Sequence, residues 1–383
     1  MQFAFAARKI LFGPGTAAQA AGEAARIGKR ALLVTGRNPE RAADFSRRLA
    51  QAGVDPVLFR VAGEPEIETV AAGAALARQE RCDLIIGLGG GSALDAAKAI
   101  AALAVNTEPI ETYLEVIGQG RPLTQTPLPC IAIPTTAGTG SEVTRNAVLK
   151  SVAHKVKVSL RGDGMLPVLA VVDPALTLGL PPDVTAATGC DALTQLLEAF
   201  VSAKANPLTD ALCREGLARA AGALPRAVAQ GDDLSARTDM ALASLFSGLA
   251  LANAGLGAVH GIAGPLGGMI PAPHGAVCAR LLPEVMAANV RALTQRAPQS
   301  VALNRYRCVA QMLTGAPQAT AADGVQWVRE LVKQFSIPAL SHWGLTAAAV
   351  PELVAHARRA SSMKGNPIEL SEAELTGIVM AAM

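Results

Sequence analysis

Nowhere in these 383 residues does a run of lysine or arginine interleave with aromatic side chains, and the net charge of +3 is spread along the chain. The electrostatic footprint of nucleic-acid binding is therefore missing. Paired cysteines are missing too: Cys82, Cys130, Cys190, Cys213, Cys278 and Cys308 form no CxxC and no short spacing that would build a zinc knuckle. They read as reduced, buried thiols, the expectation for a cytoplasmic protein. The stretch MQFAFAARKILFGPG carries its charges inside the apolar run and lacks a small-residue cleavage site, so it does not read as a signal peptide. Charged side chains are missing from Ala241 to Ala279, a window long enough for a membrane span. Asn253, His260, His274, several glycines and three prolines interrupt it, and the expectation is protein-buried helix with no membrane.

What is present argues for a large core in two parts. Apolar residues make up 51% and charged residues 17%, and the length exceeds that of one ordinary core. Up to about residue 172, β-branched runs alternate with helical stretches: strands over Phe3 to Phe12, Arg30 to Thr35, Val57 to Val61, Asp83 to Leu88, Cys130 to Pro134 and Val168 to Val172, with helices between. This pattern predicts a parallel sheet covered on both faces, with ligands at the carboxyl ends of its strands. From the hinge Pro181-Pro182 onward the sequence offers only helical stretches, such as Asp183 to Ala203, Leu208 to Val228, Ala236 to Ala252 and Gly324 to Gln334. The expectation is an α/β domain over residues 1–180 and an all-helical domain over residues 181–383.

Four stretches carry chemistry. In DLIIGLGGGSALDAAK a buried strand delivers Gly89, Gly90 and Gly91 into a helix starting at Ser92, so free backbone N–H groups and the helix dipole face whatever approaches the turn. Asp95 and Lys98 add polar groups on the same helix, and a pyrophosphate fits such a turn. In PTTAGTGSEVT the hydroxyls of Thr135, Thr136, Thr139 and Ser141 make a donor-rich loop after another buried strand, suited to a phosphate or ribose. Further on, His260 and His274 stand in the uncharged window. An unbroken helix would hold them about 21 Å apart, so the chain must fold back between them for both to reach one ion. The Gly-Pro-Leu-Gly-Gly and Pro-Ala-Pro pieces allow that. Asp191 and Gln195, four apart, share a helix face, the geometry by which one helix presents two ligands, and Glu198 lies nearby on it.

The order GGGSxxDxAK, PTTAGTGSEVT, TGxDALT, NAGLGAVH and PHG resembles the iron-containing (group III) alcohol dehydrogenases, of the dehydroquinate synthase-like superfamily, over nearly the whole chain. The resemblance implies a nucleotide-binding α/β domain followed by a helical domain. Its metal-ligand positions fall on Asp191, Gln195, His260 and His274; the second is normally histidine. A further histidine of the family, on the substrate side, is Gly264 here. Lys157 aligns with a lysine that reaches the cofactor, and homo-oligomers, commonly dimers, are implied as well.

The expected reaction is hydride transfer between a nicotinamide and a small alcohol, aldehyde or ketone, assisted by Fe2+ or Zn2+ at His260 and His274. Gln195 leaves open an ion held below full occupancy or absent, as in reductases resembling maleylacetate reductase. A lyase like dehydroquinate synthase, or a cofactor-binding protein without catalysis, are the other readings. The turn Gly36-Arg37-Asn38-Pro39-Glu40-Arg41 lacks the acid that accepts a ribose 2'-hydroxyl. It favours NADP over NAD, with Gly36 leaving room for a 2'-phosphate and Arg37 beside it.

Overall fold

The computed structural model describes residues 8–36, 39–154 and 156–383. Two compact units divide them, one reaching to Thr136 and resuming over Gly140–Leu178, the other made of Ala137–Thr139 and Gly179–Met383.

The first unit is built on β1 (Ile10–Phe12), β2 (Arg30–Thr35), β3 (Asp55–Arg60), β4 (Leu84–Gly89), β5 (Cys130–Pro134) and β8 (Leu169–Val172), with α1 (Ala17–Ile27), α2 (Pro39–Gln51), α3 (Ile67–Gln79) and α4 (Gly91–Leu103) between them. The strands form one sheet in the order β1-β8-β5-β4-β2-β3, every pair parallel. Successive side chains of a strand point to opposite faces. Accordingly Leu32, Val34 and Ile85 join Val70, Ala97 and Ile100 of α3 and α4, while Ala31, Leu33, Leu84 and Ile86 join Ala24 of α1 and Leu49 of α2. Each fully buried leucine or isoleucine contributes about 1.5–3 kcal/mol. From β2 the chain passes to β3 on one side and then returns to β4 on the other, so the strand order reverses between the carboxyl ends of β2 and β4. Crevices of this kind are where such sheets take ligands.

The sequence reading placed no strand over 146–161, yet β6 (Asn146–Ser151) and β7 (Val156–Arg161) form an antiparallel hairpin. Of the expected strand Phe3 to Phe12, residues 10–12 are β1 and residues 3–7 lie outside the described residues.

The second unit holds helices and no strand among its described residues: α5 (Pro182–Val201), α6 (Pro207–Ala229), α7 (Leu234–Ala254), α8 (Ala258–Met269), α9 (His274–Arg296), α10 (Val301–Thr314), α11 (Ala321–Gln334), α12 (Val350–Arg359) and α13 (Glu372–Ala382). Helix α5 packs against α6, α7 and α9 and is buried almost all round from Gly189 to Val201. The Gly-Pro-Leu-Gly-Gly piece does not break the chain as the sequence suggests; it lies inside α8, with Pro265 within the helix. Burial of Val259, Ile262 and Leu266 outweighs the one ladder bond that a proline removes. The reversal is made by residues 270–273, between α8 and α9. Among the described residues no single helix is long and apolar enough to cross a membrane; α7 and α8 pass that test only together, and they are bent by 99°.

Candidate metal centre and nucleotide-binding turn

Asp191, Gln195 and Glu198 lie four and then three residues apart on α5, so one stripe of a buried helix carries all three; they are 2%, 4% and 3% exposed. Glu198 fixes the start of α8. Its Oε1 accepts the Val259 N–H at 2.7 Å, one of the first-turn amides that a helix leaves without an internal partner. Its Oε2 accepts the proton on His260 Nδ1 at 2.7 Å. With Nδ1 directed at Glu198, Nε2 is the nitrogen that would take a metal ion, and it stands 3.2 Å from Asp191 Oδ1.

Helix α9 brings the second imidazole. Gly275 lies so close to α5 that a Cβ there would meet the Ala187 carbonyl oxygen at 2.1 Å, and any larger residue would push the helices apart. With glycine, His274 Nε2 comes to 3.9 Å from Asp191 Oδ1, and the two imidazole rings are 5.5 Å apart at 58°. One turn further along α9, Cys278 places Sγ 3.6 Å from His274 Nε2 and 3.8 Å from His260 Nε2. One donor atom from each of Asp191, His260, His274 and Cys278 therefore lies within 4.8 Å of every other.

The ionisable groups around this point shift one another. Burial disfavours the charged form of Asp191, but the two imidazoles outweigh it and hold the carboxyl below its ordinary value. Burial pushes the thiols of Cys130 and Cys190 up to about 12. Cys278 is as buried, yet His274 and His260 outweigh burial and hold its thiol below the ordinary value. Burial lowers His260, but Cys278, Asp191 and Glu198 more than reverse that; Cys278 raises His274 against burial. A carboxylate, a thiol and two imidazoles facing one point fit a divalent transition metal.

The structure thus gathers Asp191, His260 and His274 as the sequence suggests. Gln195 stands beside them with both ends of its amide engaged: Nε2 donates to Asp191 Oδ2 at 3.2 Å, and Oε1 accepts the Ser247 hydroxyl at 2.7 Å. Cys278 escaped the sequence reading. Its signal was the spacing His-x3-Cys from His274, which puts both on one helix face.

On the sheet unit, the expected nucleotide residues split into two groups. Gly36, Gly89, Gly90, Thr135 and Thr136 converge at the carboxyl ends of β2, β4 and β5. Thr135 N–H donates to the Gly89 carbonyl at 2.9 Å, a Cβ on Gly89 would meet the Gly36 nitrogen at 3.4 Å, and one on Gly90 would meet Thr136 Oγ1 at 3.3 Å. Gly91 and Ser92 open α4, half-buried, and no side chain caps that helix at Gly90. Asp95 and Ser141 face each other instead. The Ser141 hydroxyl donates to Asp95 Oδ1 at 2.5 Å, and Asp95 Oδ2 accepts the Val148 N–H at 3.0 Å, which ties β6 to α4. Lys98 acts as a strut, its ammonium donating to the Ser141 carbonyl and the Thr144 hydroxyl, both at 2.9 Å, and to the Asn146 carbonyl. Lys157 pairs with Glu64. Thr139 belongs to the helical unit through the segment Ala137–Thr139. Arg37 lies outside the described residues.

Glu142, in the same GSEVT segment, is 2% exposed, and burial pushes its carboxyl from 4.5 up to about 7 against the pull of its own backbone amide and Lys98. Between those pH values the folded chain keeps a proton that the unfolded chain has released. Stability from this group is therefore fully present at the acid end and is lost as pH rises through about 7, by up to about 3 kcal/mol. Urea melts from pH 5 to 8 should show a fall in stability that is markedly shallower in Glu142→Gln; parallel curves for the two proteins would refute it.

Comparison with known proteins agrees with this geometry. The family model described as iron-containing alcohol dehydrogenase matches residues 7–174, and the one for the C-terminal part of that family matches residues 185–383. A 1,3-propanediol dehydrogenase of Klebsiella pneumoniae is 36% identical over 381 residues, covering 97% of this chain and 96% of the relative. The crystal structure of a 1,3-propanediol oxidoreductase superposes with a TM-score of 0.91 at 34% identity, covering 100% of both chains. A sulfoacetaldehyde reductase from Bifidobacterium kashiwanohense, solved in complex with NAD+, superposes with a TM-score of 0.86 at 28% identity, covering 99% of this chain and 98% of that one. With a parallel sheet ending in a triple-glycine turn, a helical unit gathering one aspartate and two histidines, and matches along nearly its whole length, the chain belongs to the iron-containing alcohol dehydrogenase family.

Proposed function

We propose that this protein is an alcohol dehydrogenase or aldehyde reductase that moves a hydride between C4 of NADP and the carbinol carbon of a small alcohol, with a ferrous or zinc ion held by Asp191, His260 and His274. The gathering of those three side chains, with Glu198 setting the tautomer of His260, is the observation that carries the reading. When bound, the ion supplies Lewis acidity that stabilises negative charge on the substrate oxygen. Gln195 restrains Asp191, leaving one carboxylate oxygen toward the imidazoles. Gly264 has open space where a side chain would stand, so the substrate side receives no proton from that position, and exchange runs through water or the cofactor ribose. The α/β part, residues 1–180, carries the nucleotide, and residues 181–383 carry the ion and substrate. The protein acts in the cytoplasm as a homodimer, a reading favoured by six free thiols and by β1 lying at the edge of the sheet among the described residues.

The nucleotide contacts are assigned to the backbone of Gly89, Gly90, Gly91 and Ser92, to the hydroxyls of Thr135, Thr136 and Thr139, and to Gly36 and Arg37. Asp95 and Ser141 support the turn from beneath, and Lys157 reaches the nucleotide on leaving Glu64. The preference for NADP rests on Gly36: nothing lies within 4 Å of where its side chain would be, and the position directly after β2 is glycine where an acid would accept a 2'-hydroxyl. Oxidation of NADPH and NADH with a panel of aldehydes and ketones, together with elemental analysis, tests the whole reading. NADPH should be used with the higher kcat/KM, and Gly36→Asp should reverse the preference because a carboxylate repels a 2'-phosphate and accepts a 2'-hydroxyl. Equal efficiency with both nucleotides in the parent would defeat the NADP assignment; no turnover with either would defeat the function.

A further inference from the structure

Building on that reading of the metal centre, we propose that Cys278 is itself a ligand, so that this chain binds its ion through one carboxylate, two imidazoles and one thiolate, and that this set selects zinc(II) over iron(II). The first support is the spacing of the donors. Zinc bonds of about 2.3 Å to sulfur and about 2.0–2.1 Å to nitrogen or oxygen place tetrahedral donors about 3.6 Å apart for a sulfur and a nitrogen, and about 3.3 Å apart for a nitrogen and an oxygen. The separations here are 3.6 and 3.8 Å for Cys278 Sγ to the two imidazole nitrogens, and 3.2 Å for His260 Nε2 to Asp191 Oδ1. Of these, Cys278 Sγ to His260 Nε2 at 3.8 Å slightly exceeds its ideal edge, and His274 Nε2 to Asp191 Oδ1, at 3.9 Å, exceeds it most.

The second support is what becomes of Gln195. Its amide oxygen takes the Ser247 hydroxyl and its amide nitrogen holds Asp191, so it serves as a brace. The helix face opposite supplies the missing donor: His274 and Cys278 are one turn apart on α9, as Asp191 and Gln195 are on α5. The thiol is fully buried, and its Sγ faces the two imidazole nitrogens. On binding, the sulfur–hydrogen bond breaks, the proton leaves to solvent, and the electron pair on sulfur becomes the ligand bond, with no change of oxidation state. A thiolate is the soft member of the set and favours zinc over ferrous iron beyond the general order of metal affinities.

Absorption spectroscopy of the cobalt-loaded protein tests this without reference to turnover. Metal-stripped parent, Cys278→Ser and Cys278→Ala are titrated with cobalt(II), with circular dichroism as the check on folding. The parent should bind one cobalt per chain and show a thiolate-to-cobalt charge-transfer band in the near ultraviolet. Both variants should lose that band, whether they keep the weaker ligand-field bands or, though folded, no longer retain cobalt. Zinc affinity should fall roughly 100-fold or more in the variants, past what loss of an outer hydrogen-bond partner costs, and ferrous affinity should fall less. Ligand-field bands in the parent without charge transfer, or a charge-transfer band that survives in Cys278→Ala, would overturn the thiolate ligand and leave the Asp191, His260 and His274 site standing. A folded parent that binds no cobalt would overturn both.

Discussion

Asp191→Ala should empty the metal centre and lower kcat/KM for alcohol oxidation by at least about three orders of magnitude, equivalent to about 4 kcal/mol of transition-state stabilisation. Asp191 is the one carboxylate in the cluster of four donors, and its Oδ1 lies against both imidazoles. Nothing else in the cluster can replace it, because Glu198 is spent on His260 Nδ1 and the Val259 amide. Stripping one member from a buried charged network commonly costs about 3–5 kcal/mol of stability, so the variant must be shown to fold. Asp191→Asn serves that purpose, since it keeps the size of the side chain, with its one oxygen to accept from Gln195 Nε2 and its amide N–H turned to His260, while losing the charge. Elemental analysis of both proteins alongside steady-state kinetics decides the matter: metal at parental occupancy, or kcat/KM within tenfold of the parent, would remove Asp191 from the ligand set.

Gly90→Val should weaken nucleotide binding by at least about 100-fold, or about 2.7 kcal/mol, while leaving the fold in place. The backbone at Gly90 has φ −73° and ψ −177°, which any residue adopts, so conformational strain is not the issue. Space is: a Cβ would already stand 3.3 Å from Thr136 Oγ1 and 3.4 Å from its Cγ2, and valine's methyl groups would cover the first amides of α4. Those amides, with the positive end of the helix dipole, are what a pyrophosphate needs to reach. Gly89 would be the wrong place for this test, because a Cβ there would meet Ala93 Cβ at 2.7 Å and disturb the packing of α4 itself. Titration of NADPH fluorescence against the variant gives the affinity, and an unchanged dissociation constant in a folded protein would dispose of the triple-glycine turn as the phosphate site.

The sheet was legible in the sequence because its central strands are buried on both faces and read as near-continuous apolar runs; Arg30–Thr35 and Cys130–Pro134 begin and end where the sequence places them. The hairpin was not. In β6 and β7 buried Ala147, Leu149, Val158 and Leu160 alternate with polar or half-exposed residues such as Lys150 and Lys157, and so short an alternation next to a glycine-rich loop reads as more loop. Helix α8 was obscured by Pro265, whose local cost is overridden by tertiary burial. At the metal centre, composition made His260 and His274 conspicuous, since histidine is rare and the window around them carries no charge, whereas Asp191 was reached through its spacing to Gln195 and the family resemblance. Cys278 was one of six scattered cysteines, and only the packing of α9 against α5 distinguishes it from Cys190, a buried thiol on α5 that packs in the apolar core.

Glu198 joins two structures that are usually separate, since one oxygen holds the imidazole of His260 and the other caps the helix on which that histidine rides. An ion that ligates Nε2 makes Nδ1–H a stronger donor to Glu198, and a carboxylate held in place is a better anchor for the N-terminal amide. Ion binding and the winding of the first turn of α8 are then thermodynamically linked: every increment by which the helix end is ordered appears as affinity for the ion, and a saturating ion returns it as resistance to local opening. With an ion bound, the glycine-rich helix between α7 and α9 would draw on coordination chemistry for order that its own sequence supplies weakly.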